Sequence, residues 1–328
     1  MAPERERVSR FAETDLKGRG RGPLPVCHGE FPMSEQRADV YTRITAQIVA
    51  AVEAGAGTCR MPWHHDGNAT SRPVNLASGK PYRGINVLAL WAAADRGGFT
   101  QGLWGTYRQW LAVGGQVRKG EHGAIVVLWK QTGADQSDGE GGDDDGAGRR
   151  AFARAFAVFN IAQIDGYTPE HVAIRSEPER FARADQFIAN LRIRTIFGGN
   201  EACYLPSKDE IHMPNLVQFD DAGSFYGVMI HECGHASGSK VRLVRDLSGT
   251  FGSAKYAAEE ICAELIAGFI LADLGIAHNP RPDHAAYVSS WLAALKHDPR
   301  AIFQAASRAQ VAADWMHAQQ ADALDQAA

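Results

Sequence analysis

Residues His231-Glu232-Cys233-Gly234-His235 read H-E-x-x-H. On a helix, positions four apart share a face, so both imidazoles can meet one metal ion. Glu232 follows the first His directly. From there it can act as general base toward a water at the ion's open position. A hydrolytic site of this kind needs a third protein ligand. One class of zinc site takes a His six residues after the second motif His, and here that position is Val241. The other route is a Glu on a following helix. Segment 257–274 is apolar at Ile261, Leu265, Phe269 and Leu274 and carries Glu259, Glu260 and Glu264. Glu260 and Glu264 are four apart, and two carboxylates facing a core repel unless a cation or an imidazole N–H lies between them. We assign Glu260 as the third ligand and Glu264 as the partner that fixes a ligand His. Glu259 competes for the ligand role, and an all-solvent reading of the three is the plain alternative. Tyr256 and Tyr287 are candidates to stabilise an oxyanion, and the sequence does not choose between them.

Helical elements must hold these groups. Phe225, Val228, Met229 and Ile230 form an apolar approach to the motif at helical spacing, and Gly238 with the Ser-Gly-rich run beyond it ends that helix. Cys233, two residues past His231, falls on another face and reads as core. Short strands are expected at 202–206 and 209–214, just ahead of the motif helix. A helix is expected from near Pro178, and closing helices at 284–295, 302–306 and 311–316. His278, His284 and His297 have no ligand spacing and read as structural.

Upstream, Val40, Ile44, Ile48 and Val52 repeat at helical spacing after Ser34, a candidate N-cap. A second helix carries Val87, Leu88, Leu90 and Trp91, and a third spans 106–113. Segments 124–130 and 152–159 are strand-like and flank a Gly/Asp-rich run, so they read as one hairpin around an acidic loop at 133–148. Segment 34–132 holds eleven Lys or Arg against six Asp or Glu, and five of the seven Trp (Trp63, Trp91, Trp104, Trp110 and Trp129). Interleaved cations and rings suit a single-stranded nucleic-acid groove. On that reading the contacts are the loop residues Arg72, Tyr82, Arg83, Asn86, Trp104, Arg118 and Lys119. Spacing alone favours a Trp-rich core with a solvated basic face.

The 328 residues are 45% hydrophobic and 22% charged with a net charge of −4, an ordinary globular balance of two-domain size. Five widely spaced Cys, an odd number without C-x-x-C, argue against a disulfide scaffold and for a reducing compartment. No run is apolar enough to span a bilayer, and the N-terminus lacks the apolar stretch of a secretory signal. The expected layout is a disordered arm at 1–33, with Met33 as an alternative start, and an N-terminal domain at 34–166. A linker at 167–180, a metal-binding domain at 181–317 and a tail at 318–328 follow.

Several motifs together resemble the ArdC-type antirestriction proteins of plasmids, phages and integrative elements. Tyr41-Thr42-Arg43-Ile44, Pro81-Tyr82-Arg83-Gly84-Ile85-Asn86, Arg118-Lys119-Gly120-Glu121-His122-Gly123 and Val158-Phe159-Asn160 resemble that family's single-stranded DNA-binding domain. Met213-Pro214, His231 to His235, the run from Tyr256 to Leu265 and Ala309-Gln310-Val311-Ala312-Ala313-Asp314 resemble its zincin-like metallopeptidase domain. The resemblance implies an α+β protein of two domains: a small α+β domain for single-stranded DNA, and a mainly helical, gluzincin-type metallopeptidase domain. It implies a cytoplasmic protein that protects transferred DNA from restriction, loaded with Zn²⁺ or another divalent metal, with a possible protein substrate. Two rival readings stay open: a DNA-binding protein with a non-catalytic metal site, and a cytoplasmic zinc protease or toxin whose N-terminal domain binds protein.

Overall fold

A computed structural model describes residues 33–55, 61–65, 72–132, 150–169, 175–250, 252–279, 291–293 and 295–325. The expected arm (apart from Met33), the acidic loop, His284 and Tyr287 lie outside these residues.

The N-terminal domain begins with α1 (Met33–Gly55), which buries Val40, Ile44, Ile48 and Val52 as one stripe. Ser34 lies inside its first turn rather than capping it. Helix α2 (Ile85–Gly97) is rich in Ala and buried through Ala94, and Gly98 ends it at φ 63°. Strands β1 (Val74–Asn75) and β2 (Leu103–Gly105) pair in parallel. The Thr106 hydroxyl accepts from the Gln109 amide to start α3 (Tyr107–Ala112). Strands β4 (Ala124–Thr132) and β5 (Arg150–Asn160) pair antiparallel from Ala124↔Val158 to Thr132↔Arg150. This is the hairpin expected from the two strand-like segments around the acidic run. The sheet runs β1-β2-β5-β4, and β3 (Gln116–Val117) pairs with β6 (Ile164–Asp165) beside it.

The second domain holds α4 (Glu177–Asn190), which takes in the end of the stretch assigned to a linker. Strands β7 (Arg194–Phe197), β8 (Cys203–Leu205) and β9 (Glu210–Met213) form a sheet in the order β7-β9-β8. Helix α5 (Ala222–Ser237) starts at Asp221, whose carboxylate accepts from the Ser224 amide at 2.7 Å. Helix α6 (Ala254–Leu274) runs from a Ser253 cap to Gly275 at φ 72°. Helix α7 (Ala301–Asp325) is continuous where two helices and a tail were expected. Nothing in Ser307-Arg308-Ala309-Gln310 breaks a helix; Ser307 and Arg308 face solvent while Ala309 and Gln310 are buried.

One core runs through both domains. Ile44, Ile48, Trp63, Leu88 and Trp91 join Met229, Leu265, Phe269 and Ala306. The Trp91 and Phe269 ring centroids are 5.9 Å apart. Segment 61–65 lies along α6, with His65 Nε2 3.3 Å from the Gly268 carbonyl, and just past that helix His65 and His278 exchange both backbone hydrogen bonds, at 3.1 and 2.8 Å.

A candidate metal centre where α5 crosses α6

Helix α5 presents His231 and His235 on one face, with their Nε2 atoms 3.1 Å apart. Glu260 of α6 meets both: Oε2 is 3.5 Å from His231 Nε2 and Oε1 is 3.4 Å from His235 Nε2. The helices come this close at Gly234, where a Cβ would stand 3.3 Å from the Cα and carbonyl oxygen of Ala263. Donors about 2.1 Å from a zinc-class ion at tetrahedral angles lie roughly 3.4 Å from one another. The three observed separations bracket that value, so the donor set fits a divalent cation.

The outer nitrogens of both imidazoles are also held. His231 donates Nδ1–H to Glu264 Oε2 at 3.2 Å, and His235 donates Nδ1–H to Glu259 Oε1 at 3.3 Å. Arg245 clamps Glu259 through Nε and Nη2, at 3.0 and 2.7 Å, and donates to the Gly234 carbonyl. Glu259, the rival for the ligand role, thus faces the back of His235 and is paired with a guanidinium. Burial pushes the Glu260 carboxyl up, but hydrogen bonds from His231 and His235 outweigh it and hold it well below the usual range. Burial opposes charge on His235 too, yet Glu259, Glu260 and Glu232 push it up to about 10. Glu232 lines the same cleft, of about 430 Å³, and its Oε2 accepts from the Tyr204 amide of β8 at 2.8 Å. Tyr256 also lines this cleft. Cys233 is buried in the core beneath the site and pushed up to about 12 by that burial.

Sequence reasoning missed three supports. Arg245 lies in the Ser-Gly-rich run, where spacing gave no signal. His64, read as part of a loop, and His278, read as structural, both approach Glu264, at 3.1 and 3.3 Å.

The expected DNA contacts are not brought together on one face. Trp104 is 1% exposed and packs against Phe99, so it belongs to the core; its place in β2 turns the ring inward. Arg72 is 6% exposed and donates to Asp273 at 2.8 Å and to Gln310, so it ties the domains together. Tyr82 is half-buried, and its hydroxyl accepts from Asn75 at 3.0 Å. Asn86 spends its amide on the Val127 backbone, donating to the carbonyl and accepting from the N–H, each at 2.8 Å. Arg83 is exposed and pairs with Asp314. Arg83 and Asn86 line an interdomain groove of about 900 Å³ with Tyr41, Arg300 and Arg308. Arg118 and Lys119 sit apart from it on an exposed turn, Arg118 pairing with Glu121 at 2.9 Å. Exposed Tyr107 stands beside that turn, touching Gln116.

Among the described residues, no helix is long and apolar enough to cross a membrane. Residues 38–159 match the N-terminal domain of anti-restriction factor ArdC, and residues 182–308 match a zincin-like metallopeptidase domain. The chain is 57% identical over 287 residues to the uncharacterized protein y4eC of Sinorhizobium fredii (strain NBRC 101917 / NGR234), covering 87% of this chain and 94% of that one. It is 37% identical over 300 residues to a DNA primase TraC of Escherichia coli, spanning 27% of that longer protein and 87% of this one. The Mn(II)-bound crystal structure of antirestriction protein ArdC from plasmid R388 superposes with a TM-score of 0.68 at 35% identity, covering 85% of this chain and 97% of that one. With both domains matched in order, and that relative alike in sequence and fold over nearly its whole length, this chain belongs to the ArdC family of antirestriction proteins.

Proposed function

We propose that the protein is an antirestriction factor of a mobile element that binds single-stranded DNA and carries a working hydrolytic metal centre. One observation carries the hydrolytic part. Three metal-type donors converge, the two imidazoles among them are backed by carboxylates, and a fourth carboxylate stands free of the ligand set. His231, His235 and Glu260 would hold the cation, Zn²⁺ by donor type; the related R388 structure contains Mn(II). When bound, the cation supplies Lewis acidity toward a substrate carbonyl and acidifies water. Glu232 is the general base. Its second oxygen is left to take a proton from the attacking water, while the Tyr204 amide holds the first. The same carboxyl then delivers that proton to the leaving amine nitrogen. A protein is the substrate class that this chemistry favours.

For DNA, we propose that the strand lies in the interdomain groove, with guanidinium groups of Arg83, Arg300 and Arg308 toward phosphates and Tyr41 offering a ring. Arg118, Lys119 and Tyr107 extend the path on the outer turn.

The test is conjugative transfer into a restricting recipient, run with salt-titrated binding to an oligonucleotide. Glu232→Gln should keep DNA affinity and lose proteolysis of a validated substrate. Protection that survives this change assigns antirestriction to DNA binding alone. Absence of binding at low salt would remove the DNA reading. Charge reversal at Arg300 and Arg308, set against reversal at Arg118 and Lys119, separates the two faces.

A further inference from the structure

Glu264 is wholly buried and faces three imidazoles. Its Oε2 takes His231 Nδ1–H at 3.2 Å, and its Oε1 lies 3.1 Å from His64 Nε2 and 3.3 Å from His278 Nε2. By composition, His64, Glu264 and His278 form a second, enclosed donor set for a cation. The proton inventory speaks against that use. The Met61 backbone amide points at His64 Nδ1 from 2.9 Å. An amide N–H can only donate, so Nδ1 must accept, and the neutral ring then carries its proton on Nε2. That proton faces Glu264, and a protonated nitrogen is a donor, not a metal ligand. His278 takes the opposite tautomer: its Nδ1, 3.2 Å from the Trp63 carbonyl, must donate, so of the two rings only His64 turns a protonated Nε2 toward Glu264 Oε1, and the set lacks a second imidazole ligand atom. Segment 61–65 belongs to the N-terminal domain, whereas Glu264 and His231 belong to the other. The paired backbone bonds of His65 with His278 hold that segment against α6.

We propose that His64 is a positioning residue for the metal centre, acting through Glu264. The chain of groups runs from the Met61 amide through the His64 ring and the Glu264 carboxylate to His231 Nδ1. By occupying Oε1, His64 fixes the carboxylate plane and leaves Oε2 aimed at His231. That sets the tautomer in which His231 offers Nε2 to the cation. The N-terminal domain therefore sets the metal affinity of the C-terminal one. This proposal rests on the assignment of His231, His235 and Glu260 as ligands.

The test uses the full chain and Mn(II) or Co(II) alone, read by calorimetry and by the visible absorption of bound Co(II). His64→Leu should weaken binding by about 10- to 100-fold and shift the Co(II) bands. His64→Gln, whose amide N–H can reach Glu264, should restore affinity to within about threefold, whereas the shorter His64→Asn should not. Should His64→Leu fail to fold, the Gln and Asn pair carries the test. Wild-type affinity and an unchanged spectrum in folded His64→Leu, or equal binding by the Gln and Asn variants, would overturn the proposal and leave the ligand assignment standing. Two ions per chain would overturn it in favour of a second metal site. Wild-type protein that binds neither metal would overturn the ligand assignment and this link with it.

Discussion

Arg72 separates the two roles that a buried basic residue can have here. Its guanidinium donates to Asp273 at 2.8 Å, reaches Gln310, and lies 4.8 Å from the centroid of the Phe269 ring. The side chain is 7% exposed and that of Asp273 is 20% exposed. Removing one member of a buried pair costs roughly 3–5 kcal/mol, since the partner charge is left behind. Asp273 keeps some solvent and a hydrogen bond from His317 at 2.9 Å, which sets Arg72→Ala at the lower end, about 3 kcal/mol. At about 2.1 cal/mol/K of unfolding entropy per residue, 328 residues sharing one core give roughly 1.5 °C per kcal/mol, so the unfolding midpoint should fall by about 4–5 °C. Replacing both partners with apolar groups, as in Arg72→Met with Asp273→Leu, should cost much less than Arg72→Ala. Thermal unfolding followed by circular dichroism reads the stability, and anisotropy of a labelled oligonucleotide, measured well below the midpoint, reads DNA affinity. The expected result is a large loss of stability at unchanged affinity. An unchanged midpoint with weakened DNA binding would refute the interdomain role and return Arg72 to the DNA surface.

Gly234→Ala would set a methyl 3.3 Å from the Ala263 backbone and force α5 from α6. Titration with Mn(II) should show weaker binding in a folded protein, with a stability cost of about 1–3 kcal/mol. Val244 adopts φ 54° at 68% exposure, a left-handed conformation that costs a β-branched residue roughly 1–2 kcal/mol. Asn tolerates that region, so Val244→Asn should gain about 1 kcal/mol in denaturant unfolding and leave metal affinity as it was. Burial lifts Cys233 and Cys262 to about 12, so at pH 8 roughly one thiol in ten thousand is ionised. Mass spectrometry after brief alkylation of the native protein should find both unmodified, and modification of either without unfolding would contradict their burial.

The motif was legible because two histidines four apart carry their geometry within the sequence. Glu260 and Glu264 were legible for the same reason: helical spacing says that they share a face, and burial of paired carboxylates demands a compensating group. Arg245, His64 and His278 were not legible, because their roles come from tertiary contacts that no local period encodes. Trp104 shows the converse error. An aromatic residue in a basic, Gly-rich region suggested stacking, but β2 is covered and that ring is buried beside Phe99. The continuous α7 was hidden by a polar stretch in which Ser307 and Arg308 face solvent while Gln310 is buried against Arg72.

The charge balance at the crossing gives the metal assignment its internal logic. Glu232, Glu260 and Glu264 are all nine-tenths buried or more, while the charge of Glu259 is answered by Arg245. Three carboxylates around neutral imidazoles leave the site short of positive charge, and a monovalent partner would correct only a third of it. A divalent cation between the two Nε2 atoms and Glu260 answers most of the deficit at the point where the carboxylates converge. It would leave Glu264 as an acceptor for His231 and Glu232 outside the ligand set. Under the proposed assignment, helix α6 would supply one carboxylate for the cation and one for the back of each histidine, a division that the spacing of Glu259, Glu260 and Glu264 allows.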